Sequence, residues 1–473
     1  MADYTDDELD AYIAAADGRR VVSRDLLRSM TRHWNRPAPE SEDWAGAMPR
    51  ARRRAQLAKD FPGQWLVIPN GRAPLRANDE FYPYRPGSDF TWLVGEVSPG
   101  AALVIDPDGV ATLYLDQSPS LGHPLALLDS ARGAVWTGEP DPVEVIGQRL
   151  GLPVRPVVEL GEVLRLAEHA RAVRGLDPQV DELTEPDGGE LPKQLARLRL
   201  IKDDHEIALL RQAAKDTVTG FEAVAAALPR AIEYGESFVE GLFGQYARTL
   251  GHGHAYLPVV AAGAHATILH WERSDGPVGP EDLLLLDAGV ETSERYAADV
   301  TRTIPVSGRY SAEQRAVYDI VRAAQEAALA VVRPGTVFAT LQEVSQKVLR
   351  EGLRDLGLLP NPALAGLGIE DEPGRWTLHR VGHMLGVDVH DCAPVADEYW
   401  TAPLEAGHVL TVEPGLYFSP HDELVPESLR GIGVRIEDDV LVTADGMEKL
   451  SGDLPTDSRE VEDWVARCRE ATN

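Results

Sequence analysis

The chain is poor in cysteine: Cys392 and Cys468 are the only two. They form neither a CxxC pair nor a zinc-type spacing, which argues against a disulfide scaffold or a cysteine-built metal module. Nowhere do roughly 18 apolar residues run together, so no membrane-spanning helix is expected. The opening MADYTDDELDAYIAAADGRR has no basic start and no apolar stretch of the secretory kind, and a cytoplasmic protein is the expectation. Positive charge is scarce, with Lys+Arg 46 against Asp+Glu 76 and a net charge of −30. So acidic a chain repels phosphate backbones and anionic bilayers, so neither nucleic acid nor membrane is expected as a partner. No segment recurs at a period of roughly 20–50 residues, which argues against a solenoid or propeller.

What is present fits a soluble globular protein. A chain of 473 residues, 44% hydrophobic, is long enough for two or three domains. Residues 1–48 are polar and mixed in charge, with one helical stretch at Arg24–Trp34, and read as an extension. Residues 49–190 begin with a basic helix, PRARRRAQLAKDF. Strand-like runs then alternate with helical ones (Trp65–Pro69, Thr91–Gly95, Ala102–Ile105 and Ala111–Leu115; Pro142–Leu150 and Glu159–Arg174), the pattern of an α/β domain. The stretch Asp177–Leu191 is rich in Asp, Glu, Gly and Pro and reads as a linker. Residues 191–473 start with long helices and end in strands, which makes this part α+β.

The chemistry lies in that second part. In LLLLDAGV an apolar strand runs into Asp287, and burying an unpaired carboxylate is costly. Asp299 follows twelve positions later in AADVTRT, so a hairpin would set the two side by side. Two adjacent carboxylates repel unless a proton or a cation lies between them. A single acid at a strand end is more often a capped turn, so the weight rests on recurrence. HRVGHMLGVDVHD supplies His379, His383 and His390 among glycines. LTVEPGLYF is a second apolar strand, ending in Glu413. GIGVRIEDDV places Arg435 and Glu437 two apart, on one face of a strand. Four carboxylates and one imidazole suit Mn²⁺, with Co²⁺, Fe²⁺ and Zn²⁺ as alternatives. Four carboxylates exceed what one ion with an open position needs; they suit two ions about 3.5–4 Å apart.

These five motifs, in this order and near this spacing, resemble the pita-bread metallopeptidases, which include methionine aminopeptidase, prolidase and aminopeptidase P. The resemblance covers roughly residues 196–450. Further upstream, NDEFYPYRPGSDFTWLVG, the basic helix and the junction LRLIKDDHEIALLRQAA are similar to the aminopeptidase P branch. Two departures are visible: a slightly longer loop between Asp287 and Asp299, and the extension 1–48.

The resemblance implies an α/β N-terminal domain followed by an α+β pita-bread (creatinase/aminopeptidase) domain. It implies a dinuclear Xaa-Pro aminopeptidase that removes the residue before a proline in second position. It also implies metal ligands at Asp287, Asp299, His383, Glu413 and Glu437, with Glu413 doubling as general base. His270, His379 and His390 would then line the substrate pocket and Arg435 would orient the carboxylates. Tyr82, Tyr84, Trp271 and Tyr417 are candidates for holding the proline ring. Two Mn²⁺ ions, a proline-containing peptide as partner and a dimer or tetramer complete the expectation. The rival readings are an Xaa-Pro dipeptidase, a hydrolase with a repurposed site, and a binding protein without turnover.

Overall fold

A computed structural model describes residues 4–16, 22–35, 44–78 and 80–471. The chain divides into two compact units, Met1–Pro192 and Lys193–Asn473. Of the extension, residues 1–3, 17–21 and 36–43 lie outside the described residues. Its described parts are folded. Asp6–Ala15 and Arg24–Met30 are helices, with Leu9 and Leu27 fully buried, and Tyr4 and Tyr12 set their ring edges on His123. The second helix stops short of Trp34, whose indole N–H donates to the carbonyl of Met30 at 2.6 Å.

The first unit is built on a five-stranded sheet ordered Val154–Pro156, Ala111–Leu115, Ala102–Ile105, Leu66–Pro69, Arg171–Ala172. Its inner pairings are antiparallel and both edge strands join in parallel. Three expectations need correction here. The run Thr91–Gly95, read as a strand, lies in and just beyond the helix Ser88–Leu93. Arg50 and Arg53, buried on the helix Ala47–Asp60, donate to the carbonyls of Thr91 and Trp92, and Arg54 donates to that of Leu93. The basic helix thus caps the C-terminal end of its neighbour, a long-range arrangement that overrides the β propensity of Thr and Trp. Secondly, Glu159–Arg174 is not one helix. Leu160–Leu166 is helical, and Arg171–Ala172 turns into the edge strand. Thirdly, the proposed linker contains a helix, Pro178–Leu183, capped by the Asp177 carboxylate.

In the second unit a pair of long helices followed by antiparallel strands occurs twice. Asp204–Tyr234 and Glu236–Leu250 precede the sheet Val300–Pro305, Leu283–Ala288, Val259–Ala262. Ala312–Leu329 and Phe338–Asp355 precede the sheet Val409–Val412, Asp438–Val442, Met447–Lys449. The Asp203–Glu206 and Ser311–Gln314 capping boxes define where the first helix of each pair starts. An isolated bridge between Thr301 and Glu437 stitches the two halves together at the inner edge of their strands. Among the described residues, no helix is long and apolar enough to cross a membrane.

Candidate metal centre

Strand register explains how four distant acids meet. In the antiparallel pair of Leu283–Ala288 and Val300–Pro305, Asp287 lies opposite Thr301. Asp299, two residues before Thr301, therefore projects from the same face, diagonal to Asp287. Thr301 donates its hydroxyl to Glu437 at 2.6 Å, and the Glu437 amide returns to the Thr301 carbonyl at 3.1 Å. Glu413 follows the strand Val409–Val412, with its amide on the Val381 carbonyl at 2.8 Å.

His383 completes the cluster from a loop. Its amide donates to the Thr411 hydroxyl at 3.1 Å, and its carbonyl accepts from the Thr411 amide at 2.9 Å. Nδ1 is 3.0 Å from the Met384 carbonyl, which can only accept, so Nδ1 carries the proton. Nε2 is left facing Asp299 Oδ2 at 3.3 Å and Glu413 Oε1 at 3.5 Å. This is how proteins fix the tautomer of a metal-binding histidine. One donor atom each from Asp299, His383 and Glu437 lies within 4.8 Å of the others.

The charge balance calls for a cation. The Tyr256 hydroxyl is 2.6 Å from both Asp287 and Asp299, yet it has one proton to donate. Burial raises the Asp287 carboxyl despite Arg435 beside it. Burial, with Asp299 and Glu413 nearby, raises Glu437 well above the usual carboxylate range. Burial also pushes Glu413 up to about 7. The His383 imidazole loses by burial, but Asp299 and Glu413 outweigh that and lift it to about 9. Without a cation these groups favour holding protons; a divalent ion takes the place of those protons. The donors therefore fit divalent metal.

The other expected residues surround a cavity of about 590 Å³ whose wall includes His270, His379, His390 and Arg435 together with all five ligand candidates. That is an ordinary size for a small-molecule or peptide-end site. Arg435 donates to Asp287 at 2.5 Å and to the Tyr417 hydroxyl at 2.9 Å, and that hydroxyl is 2.7 Å from His379 Nε2. His379 Nδ1 faces the Arg380 carbonyl, so Tyr417 donates to Nε2 and the ring is neutral. Burial and the Arg435 charge hold His379 down at about 4, in keeping with this. His390 is exposed on the cavity wall, its ring edge-on to His383 with centroids 4.4 Å apart.

Of the two aromatic candidates in this unit, Tyr417 touches these groups. Trp271 stacks on His265 and donates to Glu236. Tyr84 bonds the Asn70 carbonyl within the first unit, and Tyr82 is exposed there. Three contributors went unnamed in the sequence reading: Tyr256, Thr301 and Thr411. The threonines carried a signal, since each lies two positions from an acid on the same strand face (Asp299 and Glu413). Tyr256 had none beyond preceding an apolar strand.

Gly382 is required by close packing. A Cβ there would collide with the carbonyl of Thr411, the residue that orients His383. Gly382→Ala should cost about 1–3 kcal/mol, as overpacking does. It should also weaken metal binding, because relief of the clash moves His383. Thermal melting and metal titration of the purified variant check both.

An α+β unit that gathers buried carboxylates and one imidazole in the wall of a cavity has the donor set of a metal-dependent hydrolase. Comparison with known proteins gives this class a family. Residues 208–444 match the Metallopeptidase family M24, and residues 50–173 match the Aminopeptidase P, N-terminal domain. The chain is 45% identical over 461 residues to Xaa-Pro aminopeptidase 1 of Streptomyces coelicolor, covering 95% of this chain and 93% of that protein. It is 44% identical over 428 residues to Xaa-Pro aminopeptidase 2 of the same organism, covering 88% and 90%. Proline aminopeptidase P II from Yersinia pestis superposes with a TM-score of 0.76 at 31% identity, over 89% of this chain and 99% of that one. The chain belongs to metallopeptidase family M24 and carries the aminopeptidase P type of N-terminal domain. The family and the fold class expected from the motifs are met.

Proposed function

We propose that this protein is an Xaa-Pro aminopeptidase that frees the N-terminal residue from peptides with proline in second position. Asp287, Asp299, His383, Glu413 and Glu437 hold two divalent ions, Mn²⁺ as the first choice, and the enzyme works in the cytoplasm as a dimer or tetramer. The observation that carries the reading is the approach of the Asp299 and Glu413 carboxylates to His383 Nε2, in a chain so similar along its length to Xaa-Pro aminopeptidases.

A proline amide has no N–H, so a protease that needs that donor fails on it. The bound ions would supply an acidified water and a polarised scissile carbonyl. Glu413 accepts the proton of the attacking water as general base. His390 and His270 donate hydrogen bonds from the cavity wall to the charge that develops on the carbonyl oxygen. Arg435, fixed between Asp287 and Tyr417, holds the first ligand in place, and the Tyr417–His379 bond keeps that wall ordered.

The dipeptidase reading is separated from this one by substrate length. Turnover of an Xaa-Pro-Xaa tripeptide should exceed that of the Xaa-Pro dipeptide, measured as kcat/KM with Mn²⁺ added. Cleavage confined to the dipeptide would overturn the aminopeptidase assignment.

A further inference from the structure

The junction LRLIKDDHE remains without a role in the chemistry above. It places two cations deep in the second unit: Lys202, with its side chain 1% exposed, and Arg199, at 6%. Both meet the buried carboxylate of Asp391. Lys202 Nζ donates to Oδ2 at 2.9 Å and to the Arg199 carbonyl at 2.7 Å. Arg199 donates to Asp391 Oδ1 and, at 2.8 Å, to Asp388. Two cations thus face two carboxylates.

Its location is what matters. Asp388 and Asp391 lie on the short loop that runs from His383 past His390 to Asp391. The Asp391 amide donates to the Met384 carbonyl at 2.9 Å. That carbonyl is also the one that receives His383 Nδ1. One carbonyl oxygen therefore links the ion cluster to the imidazole at the metal centre. The same loop reaches the acidic hairpin, for the Ala297 amide donates to the Gly386 carbonyl at 2.9 Å, two residues before Asp299. Gly386 has to be glycine, because a Cβ would run into the Asp391 carboxylate and come within 3.1 Å of Lys202 Cε. Cys392, directly after, is held at φ 60°, a left-handed conformation costly for a side chain with a Cβ. A loop kept in strain at its exit needs strong outside contacts, and the two cations provide them.

We propose that Arg199, Lys202 and Asp391 are positioning residues that clamp the 384–391 loop and so set the aim of His383 Nε2 and the place of His390. The proposal builds on the metal-centre reading, but metal affinity tests it apart from peptide cleavage. Support of this kind around a metal ligand is worth about 10–100-fold in affinity or activity.

The experiment compares the full-length parent with Arg199→Gln, and with Lys202→Met alone and combined with Asp391→Asn. Mn²⁺ affinity, melting temperature, kcat and KM are measured for each. Arg199→Gln should weaken Mn²⁺ binding about 10–100-fold. It should also lower kcat at saturating Mn²⁺ while leaving KM little changed. Lys202→Met alone leaves a buried carboxylate short of its partner and should melt early. The double variant removes that charge and should regain melting temperature without regaining Mn²⁺ affinity. Parental Mn²⁺ affinity in folded Arg199→Gln would overturn the clamp. So would a double variant whose affinity and stability return together, since that marks a purely structural role. If the parent binds Mn²⁺ yet cleaves no Xaa-Pro peptide, the functional reading falls, while the affinity comparison still decides on the clamp.

Discussion

Asp299→Ala should give a folded protein that neither binds the metal nor cleaves Xaa-Pro peptides. Asp299 is the acid on which the centre converges. Its Oδ2 is 3.3 Å from His383 Nε2, its other oxygen is 2.6 Å from the Tyr256 hydroxyl, and its amide is held by Asp439 at 3.2 Å. It also shares the strand face on which Thr301 reaches Glu437. A carboxylate in that place touches both flanks of the cluster, so its loss should weaken metal binding throughout it. Folding should survive, because the substitution removes a charge that repels the neighbouring Asp287 and Glu437 carboxylates. Elemental analysis after dialysis should find the parent loaded and the variant empty. Metal and turnover both retained in Asp299→Ala would remove the basis of the ligand assignment.

The second large effect is expected at His390 and has the opposite signature. His390 meets His383 ring edge to ring but is exposed to the cavity. Burial and the neighbouring His383 lower its proton affinity, so near neutral pH it presents one N–H as a neutral donor. His390→Ala should keep near-normal metal content and lose about 10²–10³-fold in kcat, the usual result of removing one donor to a developing oxyanion. If the metal is lost instead, His390 supports His383 rather than the substrate.

The contrast between what the sequence displayed and what it concealed has a physical basis. Asp287 and Glu413 stood out because each ends an apolar strand, and a carboxylate in such a place needs a partner. Glycine-flanked His383 stood out for a related reason: Gly382 packs on the Thr411 carbonyl, and nothing larger fits. Two-residue periodicity was enough to relate Arg435 to Glu437, and it would have brought in Thr301 and Thr411 as well. Tyr256 was invisible because its role depends on the register between strands, which brings Asp287 and Asp299 under one hydroxyl. The run after Ser88 failed for a similar reason. Its helix is completed by three arginines about forty residues upstream, and no local propensity reports that. Arg199 and Lys202 stood in the sequence only as part of the junction motif, and it is the fold that buries them against Asp391.

The most direct test of the central claim is the product pattern of an Xaa-Pro-Xaa-Xaa peptide, read by mass spectrometry, with chelator-treated protein before and after Mn²⁺ is returned. The chelated protein should release nothing. With Mn²⁺ the first residue should appear alone, beside a peptide that begins with proline. Equal cleavage without metal, or a cut at any other bond, would contradict the metal-centre account.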